Sequence, residues 1–256
     1  LGKVRGAGDP IILKYRFCNV RRNDDRETIW IHENWLMPWR DRKYLWFAMV
    51  VARLFNNSST LEEIASSTSP VFKPERMREI LHFRAQRGEK NFNPAYIVST
   101  NGRSGNKIDY LLKEVLQPLW ALRDNIEFSL RGASLEEAHE LLMRQNGLGS
   151  FMAAQVLADL KYARPHLWRD FHTFAASGPG SKRGLNRVFG NEPNKGMNEK
   201  TFRAKLQDLH KATNRVLKWE EPLTAQDLQN CLCEFDKYER ARLGEGEPKQ
   251  LYRSNV

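Results

Sequence analysis

The chain is poor in cysteine. It has three in 256 residues, Cys18, Cys231 and Cys233. An odd count with a single C-x-C pair excludes a disulfide framework and lacks the ligand spacing of a zinc site. Long apolar runs are missing too, so nothing approaches the ~20 residues of a membrane-spanning helix. The first residues carry no signal-peptide pattern. Together these absences set a reducing cytoplasm as the expected compartment, with no membrane partner. A Walker A spacing, G-x-x-x-x-G-K-[ST], occurs nowhere, which argues against a P-loop kinase built from this chain alone. No internal repeat and no strong linker interrupt the sequence.

What is present is an ordinary core and an excess of positive charge. Apolar residues make up 41% of the chain, enough for a folded domain and too many for a disordered one. Lys and Arg number 41 against 31 Asp and Glu, a formal charge of +10, which favours a polyanionic partner such as nucleic acid. One α-rich domain over residues 11–240 is the simplest architecture, with flexible ends at 1–10 and 241–256.

The helical signals are strong in places. Arg42 to Phe55 is apolar nearly all round and reads as a central buried helix. Thr60 with Glu63 fits a capping box for a short helix, with 66–70 as a loop. Pro74 suits the first turn of a helix reaching about Arg87. Residues 88–107 form a long Gly/Asn/Ser-rich stretch in which 100–105 could meet a phosphate or a base. Ile108 to Leu122 is amphipathic, with Pro118 as a bending point. Phe202 to Leu217 and a helix opened by Thr224 follow the same pattern. Ile11 to Val20 is ambiguous between a strand and a helix.

The most informative run is 134–184. Ser134 and Glu137 make a capping box, and Leu135, Ala138, Leu141 and Leu142 line one helical face. That helix stops at Asn146-Gly147. Gly147 and Gly149 bracket Leu148, which is expected to plug the core. Ser150 is placed to cap the next helix, whose buried face is Ala153, Val156, Leu157 and Leu160. A two-glycine turn into a helix N-terminus leaves backbone N–H groups for an anion. An ordinary helix pair packed in an all-α core explains the same pattern.

Two basic segments flank this hairpin. Arg16, Arg21, Arg22 and Arg26 crowd the N-terminal region around Asp24 and Asp25, beside Tyr15 and Phe17. Arginine suits a bidentate anion clamp, and the two rings suit base stacking; a solvated charged face is the plainer account. Farther on, Gly178-Pro179-Gly180-Ser181-Lys182-Arg183-Gly184 reads as a glycine loop entering a helix at Leu185, a place for phosphate or pyrophosphate.

Gly147-Leu148-Gly149 followed about twenty residues later by Asp170 resembles the helix–hairpin–helix DNA glycosylase superfamily. The resemblance implies a mainly all-α helical bundle in which the hairpin (Asn146, Gly147, Gly149, Ser150) grips the DNA backbone and Asp170 faces a flipped base. Phe151 stands where lyase-type members carry lysine, which speaks against a Schiff-base lyase. YRFCNVRRNDDRET, RDFHTFAASGPGSKRGLNRV and LQNCLCEFDKYER together look like the phage-type thymine hypermodification proteins. These comprise the α-glutamyl/putrescinyl-thymine pyrophosphorylases, or amino acid:DNA transferases, and the helical domain found with 5-hydroxymethyluracil DNA kinases.

In the transferase version the resemblance implies an amine or amino acid replacing pyrophosphate on a flipped 5-substituted uracil of double-stranded DNA. Asp170, with His172 second, would be the base. Arg16, Arg21, Arg22, Arg26, Asp25, Ser181, Lys182 and Arg183 would hold pyrophosphate or substrate. Tyr15, Phe17, Trp168, Phe171 and Phe174 would receive the base. A divalent metal accompanying the pyrophosphate is the one cofactor left open; no protein-held metal is expected. The alternatives are a glycosylase acting on a modified thymine and a DNA-binding module that partners a 5-hydroxymethyluracil DNA kinase. Phage origin would make the compartment the host cytoplasm.

Overall fold

A computed structural model of the chain describes residues 8–69, 71–93, 100 and 105–252. Among these, the regular elements are helices, and the only extended pairing is a β-bridge between Tyr15 and Leu251. None of the helices is long and apolar enough to cross a membrane.

In chain order the helices are α1 (Pro10–Lys14), α2 (Arg26–Ile31), α3 (Met37–Trp39), α4 (Leu45–Phe55), α5 (Ser58–Thr68) and α6 (Pro74–Gln86). Then come α7 (Lys107–Tyr110), α8 (Gln117–Ala121), α9 (Arg123–Leu130), α10 (Leu135–Met143) and α11 (Gly149–Leu160). The last three are α12 (Pro179–Val188), α13 (Glu199–Leu217) and α14 (Ala225–Arg242). The fold divides into two compact units. A central unit spans Arg26–Phe171, and a terminal unit joins Leu1–Asp25 to His172–Val256.

The central unit is built around α4, every residue of which is buried, as its apolar run, interrupted only by Arg53, requires. Two widened π-helical turns, His32–Leu36 and Leu111–Leu116, run directly into α3 and α8. Each precedes a proline, Pro38 and Pro118. A proline ring clashes with the carbonyl four residues back and cannot donate to it, and a wider turn gives it room. Pro118 therefore re-routes its helix rather than ending it.

Two expectations for α5 fail. Asn57, not Thr60, is its cap: the Asn57 side chain accepts from the Thr60 N–H at 3.1 Å, while Glu63 turns to Arg84. The helix also continues through 66–68, read from sequence as loop. Thr68 Oγ1 bonds back to the Ile64 carbonyl at 3.0 Å, and Ser67 and Thr68 are buried. Packing overrides the weak helix propensity of a Ser/Thr run. The stretch 100–105 singled out above lies, at 101–104, outside the described residues, as do 94–99.

In the terminal unit α12 lies along α14, and α13 closes over them. The shared core is Ala175, Leu185, Phe202, Leu206, Leu223, Ala225, Leu228 and Leu232. Thr224 and Asp227 cap α14 reciprocally. The ambiguous 11–20 segment resolves into the short α1 followed by extended chain. The region past 241, expected to fray, is tied down as far as Tyr252. Arg16 N donates to the Gln250 carbonyl and Tyr252 N to the Lys14 carbonyl, both at 3.0 Å.

Candidate nucleic-acid interface

The hairpin forms much as its sequence demands. Ser134 and Glu137 make a reciprocal capping box at the start of α10. Gly147 and Gly149 both take left-handed conformations, with φ +80° and +55°. A Cβ on Gly147 would lie 2.4 Å from Val115 Cγ2, so close packing as well as φ demands glycine there. Around Gly149 the space is open. Leu148 between them is buried, as expected of a plug. The N-terminus of α11 has no side-chain cap. This leaves the turn with the exposed amide edge that suits an anion.

Two hairpin residues do other work. Ser150 does not cap α11; its hydroxyl lies 3.3 Å from His139 Nε2, which also meets the Ser150 carbonyl at 3.0 Å. That imidazole, buried on α10, joins the two helices across the turn. Asn146 Nδ2 donates to the Glu114 carbonyl at 2.6 Å. Glu114 is four residues before Pro118, so its carbonyl is the one a regular helix would have paired with the missing proline N–H. Asn146 therefore anchors the hairpin to the widened turn before α8.

Asp170 takes a position that its spacing did not reveal. Its Oδ1 accepts from the Leu135 N–H at 2.8 Å and its Oδ2 from the Glu136 N–H at 3.1 Å. Both oxygens thus sit on the first turn of α10, where the helix dipole favours a negative charge. Arg169 beside it donates to Glu137 Oε2 at 2.8 Å and to the Gly132 carbonyl at 3.3 Å. The hairpin and Asp170 are therefore at opposite ends of α10, about 14 Å apart for nine residues. Arg26, also in this unit, is exposed.

The terminal-unit candidates fare differently. Tyr15 is 4% exposed, a core residue and not a free stacking platform. Phe17 is half-buried, its ring centroid 6.4 Å from that of Tyr238 with Lys237 Nζ 5.3 Å away. Phe174 is buried. Arg16 is exposed. Arg21 bonds the Glu221 and Pro222 carbonyls and lies over Trp219, and the Arg22 N–H reaches Asp227 Oδ1 at 3.4 Å. The Arg21 side chain thus holds the chain to the loop before α14, and the Arg22 backbone holds it to the first turn of α14. Asp25 is exposed, its N–H closing the 3-10 turn on the Arg22 carbonyl at 3.0 Å. His172 is exposed, and its carbonyl accepts from Ala225 N at 2.8 Å.

The glycine loop is corrected outright: 179–188 is helix α12, not a loop. Pro179 opens it, and Ser181, fully buried, accepts from the Gly178 N–H at 2.9 Å and donates to the Gly178 carbonyl at 3.1 Å. Ser181 is thereby used as a cap and is not open to a phosphate. The glycines serve packing. A Cβ on Gly184 would meet the Leu232 carbonyl oxygen at 2.1 Å, and one on Gly180 would touch Cys233 Sγ at 3.4 Å. Four residues apart, they share the face laid against α14.

The cations here are paired. Lys182 meets Glu199 at 3.5 Å, and Arg183 donates to Asp236 Oδ2 at 2.8 Å beside Arg187. Glu199 also accepts from the N–H and hydroxyl of Ser177. Burial alone would raise its pKa, but the Ser177 bonds and Lys182 outweigh that and hold it below the usual value. A carboxylate thus already stands by the proposed phosphate position.

Two features of the central unit had no sequence signal. One is a buried network. Arg53 is bidentate to Asp159, with Nη2 2.8 Å from Oδ1, and also reaches Asn56 Oδ1 at 2.7 Å and Thr28 Oγ1 at 3.1 Å. His32 Nε2 lies 3.3 Å from the same Oδ1. Lys161, 1% exposed, adds a second buried cation whose Nζ stands 4.6 Å from the centre of the Phe171 ring. The other is a cavity of about 440 Å³ at the far end of α10 from the hairpin, lined by Trp46, Trp168 and several arginines.

Fold and site define an all-helical, basic protein carrying a two-glycine helix–hairpin–helix whose first helix is capped by a downstream aspartate. The chain belongs to the family described as 5-hmdU DNA kinase, helical domain, whose model matches residues 6–247. It is similar to a curated protein of Bacillus phage SP10 named 5-hmdU DNA kinase, 28% identical over 200 residues. That match takes in 71% of this chain but 31% of the relative, so the chain spans less than a third of that protein. No solved structure matches.

Proposed function

We propose that this chain is the DNA-engaging helical part of a 5-hydroxymethyluracil kinase system. It binds duplex DNA through the 147–149 hairpin and presents the modified base to a phosphoryl-transferring site on other sequence. The family match across residues 6–247 carries this reading. The hairpin geometry supports it: two left-handed glycines, a buried Leu148 and an uncapped α11 N-terminus suit a backbone phosphate. The +10 charge supplies the non-specific attraction. The missing P-loop fits a chain that does not itself hold ATP through a Walker A motif. Asp170 in this reading is a positioning residue that fixes the start of α10. Amine-for-pyrophosphate transfer loses support, because Ser181, Lys182 and Arg183 are engaged within their own unit.

The test is fluorescence anisotropy with duplexes carrying 5-hydroxymethyluracil or thymine, from low to moderate salt. Gly149→Asp puts a carboxylate into open space at a φ that Asp tolerates, where it repels a phosphate. It should weaken binding by about tenfold while leaving helicity intact. No DNA affinity at low salt, or full affinity in Gly149→Asp, would sink the proposal. Nucleoside mass spectrometry after incubation with pyrophosphorylated DNA and amines checks the rival: amine adducts would restore transfer.

A further inference from the structure

The cavity at the end of α10 is not used by the hairpin, and its lining is chemically specific. Its walls come from the start of α4, the end of α9 with residues 132–133, and the segment from Leu160 to Trp168. Arg40, Arg42, Arg131 and Arg164 line it together with Trp46 and Trp168. At about 440 Å³ it is within the usual range for small-ligand sites.

The charges do not cancel. Glu127 is the one carboxylate in the lining. Asp41 lies nearby, 3.1 Å from Arg164 and 3.5 Å from Arg40. Arg42 donates to Ser69 Oγ at 3.3 Å and covers the Trp39 ring at 5.1 Å, so its charge is not neutralised. Arg131 is exposed, and its guanidinium has no partner among the described residues. Trp46 is 2% exposed and closes the floor, while Trp168 is only partly buried.

Asp170 helps to shape this cavity. It ties the chain just past Trp168 to the amides just past Ala133, bracing one wall against another. Arg169 does the same through the Gly132 carbonyl.

We propose that this cavity binds a nucleotide: an aromatic base against the partly exposed Trp168, with its phosphate among the arginines. Guanidinium forks match phosphate geometry, and indole surfaces stack any base. The source is either a free nucleotide or an unpaired residue of a nucleic-acid strand, and the chemistry is shared. The inference does not depend on the hairpin reading, since it concerns other residues at the other end of α10.

The test is isothermal titration calorimetry of the full chain with dAMP, deoxyadenosine and inorganic phosphate. The nucleotide should bind at least about tenfold more tightly than either fragment. Arg131→Gln removes an exposed, unpartnered guanidinium and should weaken dAMP by at least about fivefold with unchanged helicity. Trp168→Ala should weaken it too and leave phosphate binding alone. Equal affinity for dAMP and phosphate would overturn the proposal, as would indifference to both substitutions. Tighter, Arg131-dependent binding of an acidic peptide would overturn it in favour of a protein-docking surface. A single-stranded oligonucleotide distinguishes the sources: weakened by Arg131→Gln, the strand is the ligand; unaffected while dAMP is weakened, the free nucleotide is. Either result upholds the nucleotide site.

Discussion

Replacing Gly184 with alanine should destabilise the terminal unit, because α12 and α14 touch at that point. The new Cβ would lie 2.1 Å from the Leu232 carbonyl oxygen and 2.8 Å from its carbon. Comfortable separations between such atoms are about 3.5 Å, so the helices must part by roughly an ångström. The obstacle is helix backbone and cannot rotate aside. Overpacking costs about 1–3 kcal/mol, and opening the core around Leu185, Leu228 and Leu232 puts this site at the upper end. Alanine returns up to ~1 kcal/mol of helix propensity. The net loss is about 2 kcal/mol, or roughly 4–8 °C in Tm for a chain of this size. Gly180→Ala is the control: its Cβ meets Cys233 Sγ at 3.4 Å, an ordinary contact, so stability should stay within ~0.5 kcal/mol. Urea titrations followed by far-ultraviolet circular dichroism separate the two. If Gly184→Ala were as stable as Gly180→Ala and instead lost phosphate affinity, the packing account would be wrong. The glycines would then be serving a ligand, as their sequence first suggests.

Three further outcomes follow from the buried and titrating groups. Arg53→Met leaves Asp159 buried without its main counter-charge and should cost about 3–5 kcal/mol, while adding Asp159→Leu should recover much of the loss; a double variant worse than the single would refute this. Glu199 has a lowered pKa, so its stabilisation is complete above the ordinary glutamate pKa and lost as pH falls through the lower folded value; the stability gap between wild type and Glu199→Gln in urea should therefore shrink between pH 6 and pH 3, both approximate endpoints. Burial pushes the Cys231 and Cys233 thiols to about 11, which leaves roughly two-hundredfold less thiolate at about pH 8 than in a free cysteine. Iodoacetamide with mass spectrometry should thus label Cys18 first, and fast labelling of Cys233 would contradict the packing described for α14.

The elements were legible where local chemistry is decisive. The capping boxes at Ser134 and Thr224, the all-round apolar α4, Pro74 at a helix start and the left-handed Gly147 follow from short-range rules that tertiary contacts did not overrule. Element ends were less secure. A Ser/Thr run at 66–68 reads as loop, yet burial of Ser67 and Thr68 keeps it helical.

Site residues were legible only in part, because residue type does not show which partner a side chain will meet. Arg21, Lys182 and Arg183 look like phosphate ligands in a list, and each folds onto a carboxylate or carbonyl of its own unit. The residues that combine into the arginine–tryptophan cavity come from segments more than a hundred positions apart, and no local pattern marks them.

By itself, then, the sequence determined an all-helical chain, its hairpin turn, its positive charge and its kinship, since caps, periodicity, glycine conformations and composition are local or additive. Tertiary structure alone decided what Gly180, Gly184 and Asp170 are for. The two glycines could equally have faced a phosphate or a helix, and the close approach of Leu232 selects the helix. Asp170 could equally have faced a substrate or a helix N-terminus, and the amides of Leu135 and Glu136, some thirty-five residues upstream, occupy both of its oxygens.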